Sequence, residues 1–102
     1  MTIVTLWHGV TFAYESITVS SVAVALTSGT YKVTGALPVR RAIITVEDDS
    51  IRFRTDGTDP TSSEGHRGKE DDIIILDSRN DIVNFRAIRI STDAKIRISY
   101  KR

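Results

Sequence analysis

Between Asp59 and His66 the chain places an acid, two serines and an imidazole within eight residues: Asp59-Pro-Thr-Ser62-Ser63-Glu-Gly-His66. These are the residue types of a hydrolytic triad, in which a base takes the nucleophile's proton and a carboxylate orients the base. Such chemistry needs groups held to a fraction of an ångström by rigid elements. A single loop carrying all of them does not meet that need. We therefore expect His66 to pack its ring or hydrogen-bond a backbone carbonyl within the loop, and the protein not to be an enzyme.

Carboxylates cluster at 47–49, 56–59, 70–72 and 77–81. Calcium takes six to eight oxygens, usually from an alternating acidic loop ending in glycine. Asp56-Gly-Thr-Asp59 has the wrong spacing, and Lys69 partly neutralises Glu70-Asp71-Asp72. These groups read as solvated turns, and we expect neither a metal nor another cofactor. The chain has no cysteine, which excludes disulfides and thiolate metal sites.

The basic residues are more regular. Arg52 and Arg54, Arg86 and Arg89, and Lys95 and Arg97 each lie along a stretch with strand character. Three such strands side by side would form a cationic outer face. That face could be neutralised by the protein's own acidic turns or meet an acidic surface on another protein, where charge complementarity sets register and specificity. A formal net charge of +1 gives no case for nucleic acid, and no aromatics are interleaved for base stacking. No apolar run approaches the ~18 residues of a membrane span, and the first residues lack a signal-peptide pattern, so neither membrane nor secretion is expected.

The elements that would hold these residues are strands. Ile51 and Phe53 alternate with Arg52 and Arg54 before Asp56-Gly57 and Asp59-Pro60 break the pattern. This register puts Phe53 in the core and Arg52 and Arg54 on a solvated face. Arg40–Glu47 is the central-strand candidate, with Ala42, Ile44 and Val46 on one face, and Glu47–Ser50 reads as a hairpin turn into 51–55. In 17–26 the phase shifts at Ser20-Ser21, which predicts a bulge or break. Tyr31–Thr34 reads as a short strand, Asp72–Asp77 as a strand buried on both faces, Ile82–Ile90 as a strand, and Lys95–Tyr100 as an alternating one. A helical turn at 81–87 is the competing reading. About eight short antiparallel strands in 102 residues predict one all-β domain, a β-sandwich or jelly roll.

Two resemblances bear on function. Arg54-Thr-Asp-Gly-Thr-Asp-Pro-Thr-Ser62 is similar to a hairpin of β-sandwich modules appended to chitinase-like and other carbohydrate-active enzymes. The longer pattern comprises Ala23–Thr27, Arg40–Glu47, the hairpin with Gly65-His66, Asp81-Ile82 with Phe85–Arg89, and Ile98-Ser99-Tyr100. In that order it resembles small tailed-phage virion structural proteins across roughly residues 17–102. It departs at Lys69-Glu70, where such proteins carry a Gly-Asp turn, and residues 1–16 are particular to this chain.

The second resemblance implies a capsid decoration or cement protein, assembled in the host cytoplasm, located in the virion and bound to the major capsid protein as a trimer or dimer. Alternatives are a tail or head–tail connector subunit, or an accessory carbohydrate-binding module. Residues 1–38 carry only Glu15 and Lys32 as charges. Within them, residues 1–16 hold Trp7, Phe12 and Tyr14, aromatic types common among interface anchors, and are expected to form an arm over a neighbouring subunit, with packing as an added strand of their own sandwich the alternative. The interface candidates are thus Trp7, Phe12, Tyr14, Arg52, Arg54, Asp56, Asp59 and His66.

Overall fold

Ala42, Ile44 and Val46 are all fully buried, as the alternation of their strand requires. They lie on the inner face of one of two stacked antiparallel sheets. In this computed structural model, residues 9–32 and 37–102 are described. The elements are β1 (Thr11–Val19), β2 (Val24–Ala25), α1 (Ser28–Tyr31), β3 (Arg41–Glu47), β4 (Ile51–Arg54), β5 (His66–Gly68), β6 (Ile73–Leu76), α2 (Arg79–Asn84), β7 (Arg86–Arg89) and β8 (Ala94–Lys101). One sheet runs β1-β8-β3-β6 and the other β2-β7-β4-β5. This is the strand order of a jelly roll, and the expected all-β sandwich is the observed fold.

The core lies between the sheets. Ile96, Ile98 and Tyr100 of β8 are fully buried opposite Val46, Ile44 and Ala42 of β3, and Ile51, Ala87 and Phe85 close them from the other side. Phe53 stacks on Phe85 with ring centroids 5.7 Å apart, and Tyr31 packs against Tyr100 at 5.5 Å.

The phase shift at Ser20-Ser21 is a strand break: β1 ends at Val19 and the chain crosses to β2 in the other sheet. Four readings need correction. First, residues 48–50 do not close a hairpin. They carry the chain from one sheet to the other, turned by the positive φ of Asp48 (73°). Asp49 fixes the corner by accepting from the Ser50 N–H at 2.7 Å and from the Thr92 hydroxyl.

Second, Ile82 belongs to a helix. Ser78 caps it, its Oγ accepting the Asp81 N–H at 3.2 Å, and Ile82 points into the core. The strand begins only at Arg86. Ser78-Arg-Asn-Asp81 has capping-box spacing, a local signal that outweighs the β-propensity of Ile82-Val83.

Third, Ser28–Tyr31 is one helical turn where Tyr31–Thr34 was expected to be a strand. Burial of Tyr31 against Tyr100 fixes it. Residues 33–36 lie outside the described ones. Fourth, β6 lies at a sheet edge and is covered on its inner face alone: Leu76, opposite Ala42, is buried, while Ile73 and Ile75 on the outer face are 41% and 44% exposed. A continuous apolar run does not distinguish a strand covered on both faces from one covered on alternate residues.

Candidate functional site

The expected cationic face is built from two of the three strands. β4 and β7 are neighbours, whereas β8 lies in the opposite sheet. Arg54 pairs with Arg86, and Arg52 with Ile88 on one side and Arg67 on the other. Directly opposed residues share a face and residues two apart along a strand do too, so Arg52, Arg54, Arg67 and Arg86 project from the same outer surface. Arg89 falls on the other face and pairs with Asp93 at 2.5 Å.

Like charges directly opposite each other destabilise a sheet, and Arg54 and Arg86 stand in that relation. The loop after β4 supplies the counter-charges. Asp56 pairs with Arg54 at 2.5 Å, and Asp59 lies 3.9 Å from Arg86. The hydrogen bond from Arg54 holds the Asp56 carboxyl below its ordinary value, and the same bond raises the guanidinium. Arg86 also donates to the Val83 and Phe85 carbonyls at 3.1 and 2.8 Å.

Arg52 is not the solvated side chain expected from its register. Its guanidinium donates to the Gly65 carbonyl at 3.2 Å and the Ser62 carbonyl at 3.4 Å, tying the loop across the sheet. The loop is further held by the Asp56 Oδ1 bond from the Thr58 N–H and by reciprocal bonds between Thr61 and Glu64. Gly57 donates to the Asn84 carbonyl at 3.1 Å, linking the loop to α2. Gly65 has φ +136°, and a side chain there would meet Pro60 and the Phe53 carbonyl. The result is a preorganised surface with an open cleft lined by Arg54, Thr55, Asp56, Glu64, Gly65 and His66.

His66 begins β5 opposite Phe53, and its ring lies 5.5 Å from that of Phe53. The Thr61 and Ser63 hydroxyls approach each other, not the imidazole. Among the described residues there is no group of three or more His, Asp and Glu side chains placed to hold a metal ion.

The aromatic candidates separate. Trp7 lies outside the described residues. Residues 11–16 take the alternative course, as the first two-thirds of β1 paired along β8, with Val10 and Arg102 exchanging backbone hydrogen bonds at 3.1 Å, while residues 1–8 of the expected arm lie outside the described residues. The alternating inner positions of this segment find core contacts, which is why it joins its own sandwich. Phe12 packs against the core with the Arg102 guanidinium 4.7 Å above its ring. Tyr14 is on the outer face of the other sheet, 56% exposed, with Arg97 donating to its hydroxyl at 3.2 Å. Bonds from Ser16 and Arg97 lower its phenol pKa.

The structure therefore gathers Arg52, Arg54, Asp56, Asp59 and His66 at one end of one sheet and puts Phe12 and Tyr14 elsewhere. It adds Arg67, missed because three residues of β5 are too short for any periodicity to show. It also gives Glu15, one of the two charges in the first third, a structural role: its carboxylate accepts from the Tyr100 hydroxyl and from the Thr27 N–H at 3.2 Å. No family model, curated protein or solved structure matches this chain.

Proposed function

We propose that this protein is a non-enzymatic structural component of a tailed-phage virion, a capsid decoration or cement protein that stabilises the head by binding major capsid subunits. The observation that carries this reading is the arginine face of β4, β5 and β7 beside a loop held by its own hydrogen bonds. A rigid surface loses little side-chain freedom on docking; Arg54 and Arg86 have Asp56 and Asp59 as counter-charges, while Arg52 and Arg67, with no ion-pair partner among the described residues, favour an acidic partner surface and a single register. The pattern of residues 17–102 supports the phage assignment. The jelly-roll order, shared with viral capsid domains, supports it as a fold-level analogy.

A carbohydrate-binding module would instead present coplanar exposed aromatics. Among the described aromatic side chains Tyr14 alone is exposed, on the sheet opposite the hairpin of residues 54–62.

The protein should be found in the particle. Phage particles from the strain that encodes it, banded by density and separated into heads and tails, should yield it by mass spectrometry in the head fraction at a fixed ratio to the major capsid protein. Recovery with tails moves it to the connector or tail class. Absence from both fractions, with the protein abundant in the infected cell, contradicts a virion role.

A further inference from the structure

We infer that the outer edge of β6, which no other described strand pairs, is a self-docking surface, on which a second copy of this chain pairs antiparallel about a two-fold axis at Ile75 to make one continuous eight-stranded sheet. Three observations carry this, and none depends on which partner the arginine face meets.

The first is the exposed side-chain row. Ile43 and Ile75 are paired on the outer face, and Ile73 lies beside them on the same face of β6. Ile73 and Ile75 are large apolar side chains left substantially in water. Sheet edges are normally blunted by charge, proline, a bulge or shortness. Residues 73–76 are Ile-Ile-Ile-Leu, with none of those side chains. The edges of the opposite sheet, β2 and β5, have two and three residues.

The second is the direction of the backbone groups. Asp71 N–H donates to the Val46 carbonyl at 2.8 Å, and Val46 N–H donates to the Asp72 carbonyl at 3.1 Å. Val46 thus turns both its groups toward β6. Alternation along β3 turns those of Ile44, the partner of Ile74, the same way. The N–H and C=O of Ile73 and Ile75 therefore point outward, at the same residues whose side chains are exposed. Pairing Ile75 with Ile75 of a second copy satisfies them and extends the row to Ile43–Ile75–Ile75–Ile43.

The third is charge. The end of the sheet where β6 begins carries Glu47, ion-paired with Arg97 at 2.9 Å, and Asp48 and Asp49 against Lys69, Glu70, Asp71 and Asp72, so it is net acidic. The end where β6 finishes gathers Arg40, Arg41 and Arg79 around Asp77, which holds Arg41 at 2.6 Å and leaves that end net basic. Two copies of one edge related by a two-fold axis must run antiparallel, so the acidic end of each lies beside the basic end of the other. A parallel partner strand of the same charge pattern would place like ends together. This self-complementarity selects a second copy as the occupant.

The isolated protein should sediment at twice its 11.3 kDa. Ile75→Lys, at an exposed position, should reduce it to monomer without changing its circular dichroism. Because the chain has no cysteine of its own, a single cysteine also reads the register. Opposed residues at a two-fold axis lie within the span a disulfide bridges, so Ile75→Cys should cross-link rapidly on mild oxidation. Ile73→Cys, about 13 Å out of register with its own copy at roughly 3.3 Å per residue, should not. A monomeric wild type whose two cysteine variants cross-link equally slowly overturns the proposal. So does a dimer that survives Ile75→Lys, which places the interface elsewhere. Neither result touches the head-binding reading, which is measured on particles.

Discussion

Phe85→Ala should destabilise the domain by about 3–5 kcal/mol, the largest loss expected from any single side chain here. Phe85 is fully buried at the end of α2, stacks on Phe53, and fills the space between the sheets where helix gives way to β7. Truncating it removes apolar burial and leaves a cavity that two sheets held by their own hydrogen bonds cannot close. Phe53→Ala should cost less, about 2 kcal/mol, because Phe53 is only partly buried and the His66 ring beside it is itself exposed. Arg52→Ala should cost about 1 kcal/mol, above the ±0.5 expected of a solvated arginine, since the Ser62 and Gly65 carbonyls lose their donor. Urea melts of the three variants should rank in that order. Equal costs for Phe85 and Arg52 would contradict the placement of the core.

Tyr100→Phe should destabilise the protein by about 1.5–3 kcal/mol at neutral pH, because the hydroxyl is buried and donates to the Glu15 carboxylate. The same site predicts the behaviour at high pH. Burial first, then the hydrogen bond to Glu15 and its charge, hold the Tyr100 phenol well above the ordinary value of 10.0. The unfolded chain loses this proton near 10 while the folded chain keeps it, so above that pH the unfolded state binds fewer protons and stability falls as pH rises. The contribution is fully present below pH 10 and drains away above it. Thermal melts between about pH 8 and 11 should show the midpoint falling at the alkaline end, more steeply for the wild type than for Tyr100→Phe. Ultraviolet titration should show exposed Tyr14 ionising first and Tyr100 only on unfolding. If all tyrosines titrate together in the folded protein, the Glu15–Tyr100 contact is not formed.

The alternating strands were legible because their side chains answer to one period. Ala42, Ile44 and Val46, and Ile96, Ile98 and Tyr100, are buried in the order their spacing dictates. What escaped was information carried by partners. Whether residues 48–50 close a hairpin or cross between sheets depends on which strand β4 pairs with, and that is set by β7 more than thirty positions later. Ile73 and Ile75 look like core in isolation because an apolar run carries no record of being at an edge. Arg52 and Arg54 were recognisable as a face-sharing pair, but Arg67 and Arg86 join them only through pairing across the sheet. The helix over Ile82 was readable in principle from the Ser78…Asp81 spacing, which local β-propensity obscured. Residues 11–16 read as part of an arm because residues 1–16 hold three aromatics and Glu15 as their one charge. They instead form a strand with one face on the core, where Glu15 accepts from Tyr100, and the other hydrogen-bonded through Tyr14 and Ser16 to Arg97.

The proposed association through the arginine face is tested most directly by re-addition of the protein to phage heads assembled without it. Heads mixed with purified wild type should take it up to a fixed number of copies per capsid subunit. Uptake should weaken as salt is raised. Arg67→Glu, at an exposed position outside the core, should lower the affinity at least about tenfold while leaving the melting temperature unchanged. Wild-type protein that stays in the supernatant at every salt concentration, or an Arg67→Glu variant that binds as tightly as the wild type, would contradict it.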